Sequence, residues 1–267
     1  MLTAESERPQ VAVKKLGKGA AYILLHGGMG SWNHWARNID ALAEHFRVHA
    51  VDLPGYGDSP DVDKSMSGED YRSLVCRAID EIIADEEPFH LTGFSFGGAL
   101  SSCIAAHFGD RVKGLSLIGS GGFGKHEGRP PVNTRSYKSA GEDEAKYREI
   151  VRGNLLAFML SDPKTVDDDA IFYHGENVRR TRFDSRKVSL GDTQRTDLAN
   201  ITCPLQLIWG ENDVTAYPSI EDRVMMCRER VPNLRIDVIP DASHWAMYDS
   251  AQAMNALLLD FHLGLTN

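Results

Sequence analysis

The ten residues "LTGFSFGGAL" (91–100) carry a serine between two glycines, in a G-x-S-x-G pattern that runs from Gly93 to Gly97. The apolar run "PFHLTGF" (88–94) leads into the serine, and "GGALSSCIAAHFG" (97–109), with helical spacing of apolar residues, follows it. A serine on a tight strand-to-helix turn is held out as a nucleophile. Glycines would flank it because a Cβ there would collide with the adjoining strand or helix. Without that context, the match is commonplace in glycine-containing loops.

Apolar runs of strand length alternate with amphipathic helical segments along most of the chain. Besides 88–94, the predicted strands are 20–26, 47–53, 112–119, 203–210 and 233–240, and the predicted helices are 35–46, 68–87, 97–109 and 250–264. This alternation is typical of βαβ units, so we expect an α/β fold with a mostly parallel, doubly wound sheet. Between about 142 and 195 the chain is charged and helical, with no strand signal. We therefore predict a core at 1–121, a helical insertion at 122–197 and a second core part at 198–267.

Composition restricts the partners of this chain. The chain has 267 residues, 42% of them hydrophobic and 25% charged, with a formal net charge of −9. That charge argues against a nucleic-acid partner, because phosphate-backbone affinity needs clustered Lys and Arg. No apolar run is long enough to span a membrane, and the first residues lack the pattern of a signal peptide. The four cysteines are scattered without metal-like spacing, which predicts reduced thiols, no metal site and a cytoplasmic location.

A serine hydroxyl needs a base to become nucleophilic, and the base needs an orienting carboxylate. His244 lies in the loop between the last predicted strand and the last helix, and Asp213 lies in the loop after the preceding strand. Both loops leave the sheet at the edge that presents Ser95. We therefore predict that Ser95, Asp213 and His244 form a catalytic triad. Glu211 is a second candidate acid, but it sits closer to the strand end.

Acyl chemistry also needs hydrogen-bond donors for the developing oxyanion. The glycine-rich loop "HGGMG" (26–30) follows the first strong strand and can aim a backbone N–H at the reacting carbonyl. We assign the oxyanion hole to the N–H groups of Gly28 and Phe96, and we interpret His26 as a structural brace of the loop. A phosphate-binding loop is excluded because the G-K-[ST] ending and a dinucleotide fingerprint are both missing.

At these residues the chain resembles the α/β-hydrolase family over essentially its whole length. The segments that carry the resemblance are "HGGMGSW" (26–32), "DLPGYGDS" (52–59), "GFSFGG" (93–98), "WGEND" (209–213) and "SHW" (243–245). The resemblance implies an α/β-hydrolase fold in which the insertion is a helical cap over the pocket. It also implies a small-molecule substrate and no cofactor, and because relatives are often dimers, a homodimer is an alternative to a monomer.

A narrower similarity is to hydrolases of meta-cleavage products, which cut a carbon–carbon bond in 2-hydroxy-6-oxo-dienoates. It rests on "SWNHWARNIDALAEHFRV" (31–48), "GSGGFG" (119–124) and "HWAMYD" (244–249). By this resemblance Trp245 would line the acid end of the pocket, whereas His34 and Phe94 stand where that subfamily commonly has asparagines. We assign substrate binding to Gly27, Met29, Phe94, Trp245 and Arg180.

The charged segment "ENVRRTRFDSRK" (176–187) has two interpretations. Arg179, Arg180 and Arg182 could clamp a substrate carboxylate, or the run could be a solvated helix face. Trp32 and Trp35 could line the pocket, but core packing is at least as good an interpretation of them.

These features predict a cofactor-free serine hydrolase of a small carbonyl substrate. Cleavage of the carbon–carbon bond of a dienoate is one hypothesis, and hydrolysis of small esters or lactones is the alternative. A non-catalytic ligand-binding protein on the same fold is a third hypothesis, which a damaged triad would favour. An intact Ser95 argues against it.

Overall fold

The computed structural model describes residues 10–83 and 87–266, which contain a seven-stranded sheet with the strand order β1-β3-β2-β4-β5-β6-β7. The strands are β1 (Val13–Leu16), β2 (Ala21–Leu25), β3 (Arg47–Val51), β4 (Phe89–Phe94), β5 (Val112–Ile118), β6 (Leu205–Gly210) and β7 (Arg235–Ile239). Only the pair β1 and β3 is antiparallel within this sheet, and every other neighbouring pair is parallel. The six predicted strands and the mostly parallel α/β architecture are therefore confirmed.

The edge strand β1 was not predicted. Its sequence, "VKKL", is largely solvent-exposed, and two of its four residues are lysines. It pairs with β3 in the register Val13 to Val51 and Leu16 to Val48. Lysines on a short edge strand discourage pairing with other chains, and they also remove the apolar signal by which a strand is recognised.

Ten α-helices occur in the described part of the chain. They are α1 (Ile39–Ala43), α2 (Gly68–Ile82), α3 (Phe96–Phe108), α4 (Glu144–Phe158), α5 (Asp168–Arg179), α6 (Arg186–Ser189), α7 (Gln194–Asp197), α8 (Ile220–Arg228), α9 (Ala246–Asp249) and α10 (Ala251–Leu263). None of these helices is long and apolar enough to cross a membrane. The end of the helix predicted at 68–87 includes residues 84–86, which lie outside the described residues.

The helix predicted at 35–46 is only partly correct. A 3-10 turn at Trp32–Trp35 precedes the short helix α1. The turn begins there because the backbone N–H of Trp32 donates to Asp52 Oδ1 (2.6 Å) in the loop after β3. This bond ties the segment to the sheet, and a regular helix starts only at Ile39. Helix α8 carried no clear apolar periodicity in the sequence and was not predicted.

Helices cover both faces of the sheet, as expected for a doubly wound fold. Alternate residues of β2 enter two separate apolar clusters: Ile23 and Leu25 pack on one face, and Tyr22 and Leu24 on the other. Helices α2, α3 and α8 bury their apolar side chains in the first cluster, and α1 and α10 bury theirs in the second. The period of two along a strand therefore gives each face its own core.

Between β5 and β6 the helices begin only after residue 136, and the segment contacts a loop that follows the last strand, since the Met159 carbonyl accepts the Trp245 backbone N–H (2.7 Å). Helices α4 to α7 lie within this insertion, and Val151 and Leu155 of α4 join the second apolar cluster. Gln194 of α7 is fully buried, and its amide nitrogen donates to Ser120 Oγ (2.8 Å) while its amide oxygen accepts from Ser102 Oγ (2.7 Å). A buried amide with both ends satisfied fixes the insertion to α3.

Candidate active site

Ser95 occupies a strained turn between β4 and α3. Its backbone has φ 53° and ψ −113°, in a region that non-glycine residues rarely adopt. The turn requires small neighbours: a Cβ on Gly97 would stand 2.6 Å from the Leu25 carbonyl oxygen and 2.5 Å from that of His26. A Cβ on Gly93 would collide with the carbonyl oxygen of Gly97. The steric reason given for the two glycines of the motif is therefore confirmed.

Three side chains from separate loops form one hydrogen-bonded chain. Asp213 Oδ2 lies 2.9 Å from His244 Nδ1, and His244 Nε2 lies 2.9 Å from Ser95 Oγ. An ionised carboxylate can only accept, so Nδ1 carries the ring proton and Nε2 is left to accept from the serine hydroxyl. The protonation states match those that a general base requires.

The carboxylate of Asp213 is held ionised by its surroundings. Its side chain has no exposed surface, and this burial favours the neutral acid. The electrostatic interaction with His244 and the hydrogen bonds from His244 and Thr215 outweigh burial and lower the pKa of Asp213 below its ordinary value. One of these bonds is donated by the Thr215 backbone N–H to Oδ1 (2.8 Å). Glu211, the other candidate acid, instead accepts the backbone N–H of Asp241 (3.1 Å).

The glycine-rich loop after β2 lies beside the serine. His26 Nδ1–H donates to the Gly27 carbonyl (2.7 Å), and His26 Nε2 accepts the Leu53 backbone N–H (3.0 Å). Acceptance of the Leu53 N–H needs the neutral ring, and burial lowers the pKa of His26 to about 4, against a smaller opposing effect of the bond to Gly27. Met29 adopts a left-handed φ of 49°, which turns the chain sharply just after Gly28.

One cavity of about 270 Å³ holds most of the predicted site residues. Those among its lining are Gly28, Met29, Phe94, Ser95, Phe96 and His244. The insertion contributes Phe158, Met159, Ser185, Arg186, Ser189 and Leu190 to the same wall. Within residues 10–83 and 87–266, no group of three or more His, Cys, Asp or Glu side chains could hold a metal ion. The cavity therefore combines a nucleophile, a base and a mainly apolar enclosure.

The family model described as "Alpha/beta hydrolase family" matches residues 22–257 of the chain. The chain belongs to the alpha/beta hydrolase family. It is 30% identical over 262 residues to the 2-hydroxy-6-oxononadienedioate/2-hydroxy-6-oxononatrienedioate hydrolase of Cupriavidus pinatubonensis, covering 92% of this chain and 88% of that protein. The resemblance drawn from the sequence is thereby confirmed, and the protein is a hydrolase.

Solved structures of other α/β hydrolases share the fold. An esterase from Thermogutta terrifontis superposes with a TM-score of 0.75 at 18% identity, covering 99% of this chain and 97% of that chain. A meta-cleavage product hydrolase from Pseudomonas fluorescens has a TM-score of 0.74 at 21% identity, covering 96% of this chain and 95% of that one. At these identities the neighbours confirm the fold alone.

Three residues predicted to bind the substrate are elsewhere in this α/β hydrolase. Trp245 is fully buried, and its indole N–H donates to the His34 carbonyl (2.9 Å), so it packs behind the cavity. Gly27 is also outside the lining, and its N–H donates to His34 Nδ1 (3.2 Å). Arg180 is half exposed, and its guanidinium pairs with Asp58 at 2.6 Å.

The other cap arginines are likewise engaged away from the cavity. Arg179 pairs with Glu144 at 2.5 Å, and Arg182 pairs with Asp61 and donates to backbone carbonyls of the loop after β3. Each of these three guanidinium groups has an acidic partner, which favours the solvated-face interpretation of this segment over the carboxylate clamp. Trp32 and Trp35 are also outside the lining, and Trp35 is fully buried in the second apolar cluster.

Aromatic rings fill the space behind the base. The Phe94 ring centre lies 4.8 Å from that of His244 and 5.4 Å from that of His34, and His34 lies 5.0 Å from Trp245. Burial lowers the pKa of His34 well below its ordinary value, with smaller contributions from neighbouring histidines, so the ring stays neutral. The His34 ring therefore adds no charge behind the base.

Sequence reasoning overlooked several residues of the cavity. Phe123, Arg129, Thr215 and Arg223 line it although they come from loops after β5 and β6 and from helix α8. Arg223 sits in "EDRVMMCRER" (221–230), where charged residues are frequent and no pattern singles out one of them. Thr215 had a detectable signal, since it lies two residues after Asp213 in the same loop.

Proposed function

We propose that this protein is a cofactor-free serine hydrolase in which Ser95, His244 and Asp213 act together. The observation that carries the proposal is the pair of 2.9 Å contacts from Asp213 to His244 and from His244 to Ser95. His244 removes the hydroxyl proton as Ser95 attacks a substrate carbonyl, and Asp213 stabilises the resulting imidazolium. His244 then protonates the leaving group, and water releases the acyl group from Ser95 by the same steps.

The backbone N–H groups of Gly28 and Phe96 are the proposed donors to the oxyanion. Both residues line the cavity beside Ser95. Phe96 is the first residue of α3, so its N–H belongs to the unsatisfied first turn of a helix. Gly28 lies close to the insertion, because a Cβ there would stand 2.5 Å from Ser185 Oγ. We also infer that the insertion, predicted as residues 122–197, acts as a cap, since it supplies Phe158 and Ser185 to the cavity wall.

The first candidate reaction is carbon–carbon hydrolysis of a 2-hydroxy-6-oxo-dienoate. It is supported by the names of relatives about 30% identical over most of their length. In this reaction the 2-hydroxyl proton is transferred to C5, so that the dienol becomes a 2-oxo acid, and Ser95 attacks the distal C6 carbonyl. Collapse of the tetrahedral adduct breaks the adjacent carbon–carbon bond, and its electrons enter the conjugated 2-oxo acid, which leaves as a dienolate. The acyl group stays on Ser95 until water removes it.

Ester hydrolysis is the second candidate, and Phe94 favours it. This ring packs on His34 and His244 at a wall where a hydrogen-bonding side chain would be needed to guide a keto acid. An ester needs no such help, because its alkoxide leaves with a single proton from His244. Both candidates use the same three residues, and they differ in the leaving group and in the ketonisation that only the carbon–carbon reaction needs.

The test is an absorbance assay with two substrates. The purified protein is mixed with 2-hydroxy-6-oxo-hexa-2,4-dienoate, whose colour is lost on cleavage, and separately with 4-nitrophenyl butyrate. We expect turnover of at least one, and we expect Ser95→Ala to reduce it about 10⁴-fold or more. Full activity in Ser95→Ala would exclude the serine mechanism.

A binding measurement separates the enzyme from a ligand-binding protein. If neither substrate nor a panel of small esters and lactones turns over, but the dienoate spectrum shifts on binding, the chain is a receptor on this fold. Bleaching of the dienoate selects the carbon–carbon reaction, and ester turnover alone selects the second candidate.

A further inference from the structure

Two arginines line the cavity without an acidic partner. The Arg223 side chain belongs to a residue that is 5% exposed, and its guanidinium donates to the Phe123 carbonyl (3.3 Å) and lies 4.5 Å from the Phe123 ring centre. Arg129 donates to the Val214 carbonyl at 3.4 Å. Throughout the described ranges 10–83 and 87–266, no carboxylate oxygen lies within 4.0 Å of either guanidinium.

Such an arrangement leaves N–H donors available to an anion in the cavity. A guanidinium carries five N–H donors, and one long bond to a carbonyl satisfies only one nitrogen of Arg223. The other nitrogens of Arg223 are not fully enclosed by protein, so their N–H groups are open to the cavity that this residue lines. The third arginine of the cavity, Arg186, has the usual acidic partner: it makes two 2.8 Å bonds to Asp184 and is mostly exposed.

The electrostatics of the pair are consistent with a missing negative charge. Burial, and next the positive charge of Arg129, lower the pKa of Arg223 to about 10. Asp222 and Asp192 oppose this effect, but neither lies in ion-pair contact with Arg223. An anion between the two guanidinium groups would remove the repulsion.

We propose that Arg223 and Arg129 form a carboxylate-binding subsite in the cavity that holds Ser95, so that the natural substrate carries a free carboxylate apart from the bond that is cleaved. This inference rests on the proposed serine hydrolase function and adds its substrate class. A planar carboxylate matches the two-pronged guanidinium edge. The subsite differs in position from the arginines of α5 and the segment after it, which are paired on the surface.

The remaining lining favours a carboxylate on an apolar chain over a phosphate ester or a sugar acid. Phe123, Phe158 and Leu190 face the same cavity and offer rings and methyl groups to a hydrocarbon segment. A doubly charged phosphate costs more free energy than a singly charged carboxylate to remove from water and place beside these rings. A short acyl chain ending in a carboxylate is therefore the expected ligand.

The test compares a substrate that carries the carboxylate with one in which it is blocked. 4-Nitrophenyl hydrogen adipate and methyl 4-nitrophenyl adipate have the same chain and the same reacting ester, and they differ in one negative charge. We expect the wild-type protein to have the higher kcat/KM for the acid. Arg223→Gln should lower kcat/KM for the acid on the order of 10- to 100-fold, mainly through KM, with the diester changed less than about threefold.

The matched control is Arg180→Gln, which removes an arginine paired with Asp58 outside the cavity. We expect it to leave both activities unchanged. Arg223→Lys keeps the charge and should recover part of the preference for the acid. Circular dichroism and thermal unfolding establish that each variant is folded.

Four outcomes would overturn the proposal. The first is an equal loss of kcat/KM for both substrates in folded Arg223→Gln, which indicates a packing role, and the second is no loss at all in that variant. The third is a wild-type protein without preference for the acid. The fourth is stronger competition by inorganic phosphate than by adipate. If Arg223→Gln does not fold, competition of adipate, dimethyl adipate and phosphate against the neutral diester decides the question on the wild type. Unchanged hydrolysis in Ser95→Ala would instead refute the serine mechanism, while binding of adipate to that variant still reports on the subsite.

Discussion

Replacement of Asp213 by asparagine is the most informative single change at this site. The substitution keeps the size of the side chain and removes its charge. The Thr215 backbone N–H donates to Oδ1 at 2.8 Å, so the asparagine carbonyl is expected to take that position. Its NH₂ group then faces His244 Nδ1, which must become an acceptor. The ring proton moves to Nε2, where it blocks acceptance of the Ser95 hydroxyl proton.

The size of the effect follows from charge and geometry. Asp213 Oδ2 lies 2.9 Å from His244 Nδ1, and both side chains are essentially buried. Unit charges about 4 Å apart interact by about 4 kcal/mol at an effective dielectric constant of 20. Loss of this stabilisation of the imidazolium corresponds to about 10³-fold in rate. The wrong tautomer increases the loss, so we expect kcat to fall by about 10³- to 10⁴-fold.

Thr215 offers a partial rescue of the variant. Its hydroxyl oxygen lies 3.2 Å from His244 Nδ1 and can accept the ring proton when asparagine does not. We therefore expect Asp213→Asn to retain a small activity that a second change, Thr215→Val, removes. In the wild-type background Thr215→Val should cost less than about tenfold, because the carboxylate alone fixes the tautomer.

The assay is kcat for 4-nitrophenyl butyrate, or for the dienoate if that is the substrate, between pH 6 and 9. Glu211→Gln is the matched control, since it removes a nearby carboxylate that accepts only the Asp241 N–H among the described residues. We expect this control to stay within about threefold of the wild type, because Glu211 does not touch His244. Activity of Asp213→Asn within tenfold of the wild type, or a larger loss in Glu211→Gln, would refute the assignment of the acid.

Three further changes test the scaffold of the site. Burial lowers the pKa of His26 to about 4. The free energy of unfolding should therefore fall by up to about 3 kcal/mol as the pH falls from about 6.5 to 4. His26→Gln should flatten this part of the plot of unfolding free energy, measured in urea, against pH, and an unaltered plot would contradict the prediction. Gly97→Ala places a Cβ 2.6 Å from the Leu25 carbonyl oxygen, so we expect little folded protein by circular dichroism and thermal unfolding, whereas a normal unfolding temperature would count against the steric argument. Arg72→Leu leaves Asp197 buried without its 2.6 Å partner, so it should lower the free energy of unfolding in urea by about 3–5 kcal/mol. The double variant Arg72→Leu/Asp197→Leu removes both charges and should lose less stability. Equal losses in the two variants would argue against a buried-charge penalty.

The sheet and the hydrogen-bonded series Asp213, His244 and Ser95 were predictable because they depend on apolar strand patterns and on which residues follow each strand. Ser95 must follow a strand and open a helix, and the two glycines around it are required by contacts within a few ångströms. Asp213 and His244 follow the ends of two strands, so parallel pairing alone brings them to the same edge of the sheet as Ser95. Edge strand β1 escaped prediction for the opposite reason, because solvent exposure removed its apolar pattern.

The residues that would select a substrate could not be found in the same way. Arg223 and Arg180 are both arginines in charged helical segments, and their sequences give no sign that one is buried at the cavity and the other paired with Asp58. Their difference arises from tertiary packing: α8 turns Arg223 against Phe123, whereas Arg180 follows α5 at the surface. The sequence shows that Arg223 carries a charge, but only the folded structure shows which side chains lie near that charge. An arginine that faces a cavity without an acidic partner is therefore recognised only in the structure. For the same reason, the identity of the substrate is best sought at Arg223, whose guanidinium has no carboxylate within ion-pair distance in residues 10–83 and 87–266, rather than in the motif around Ser95.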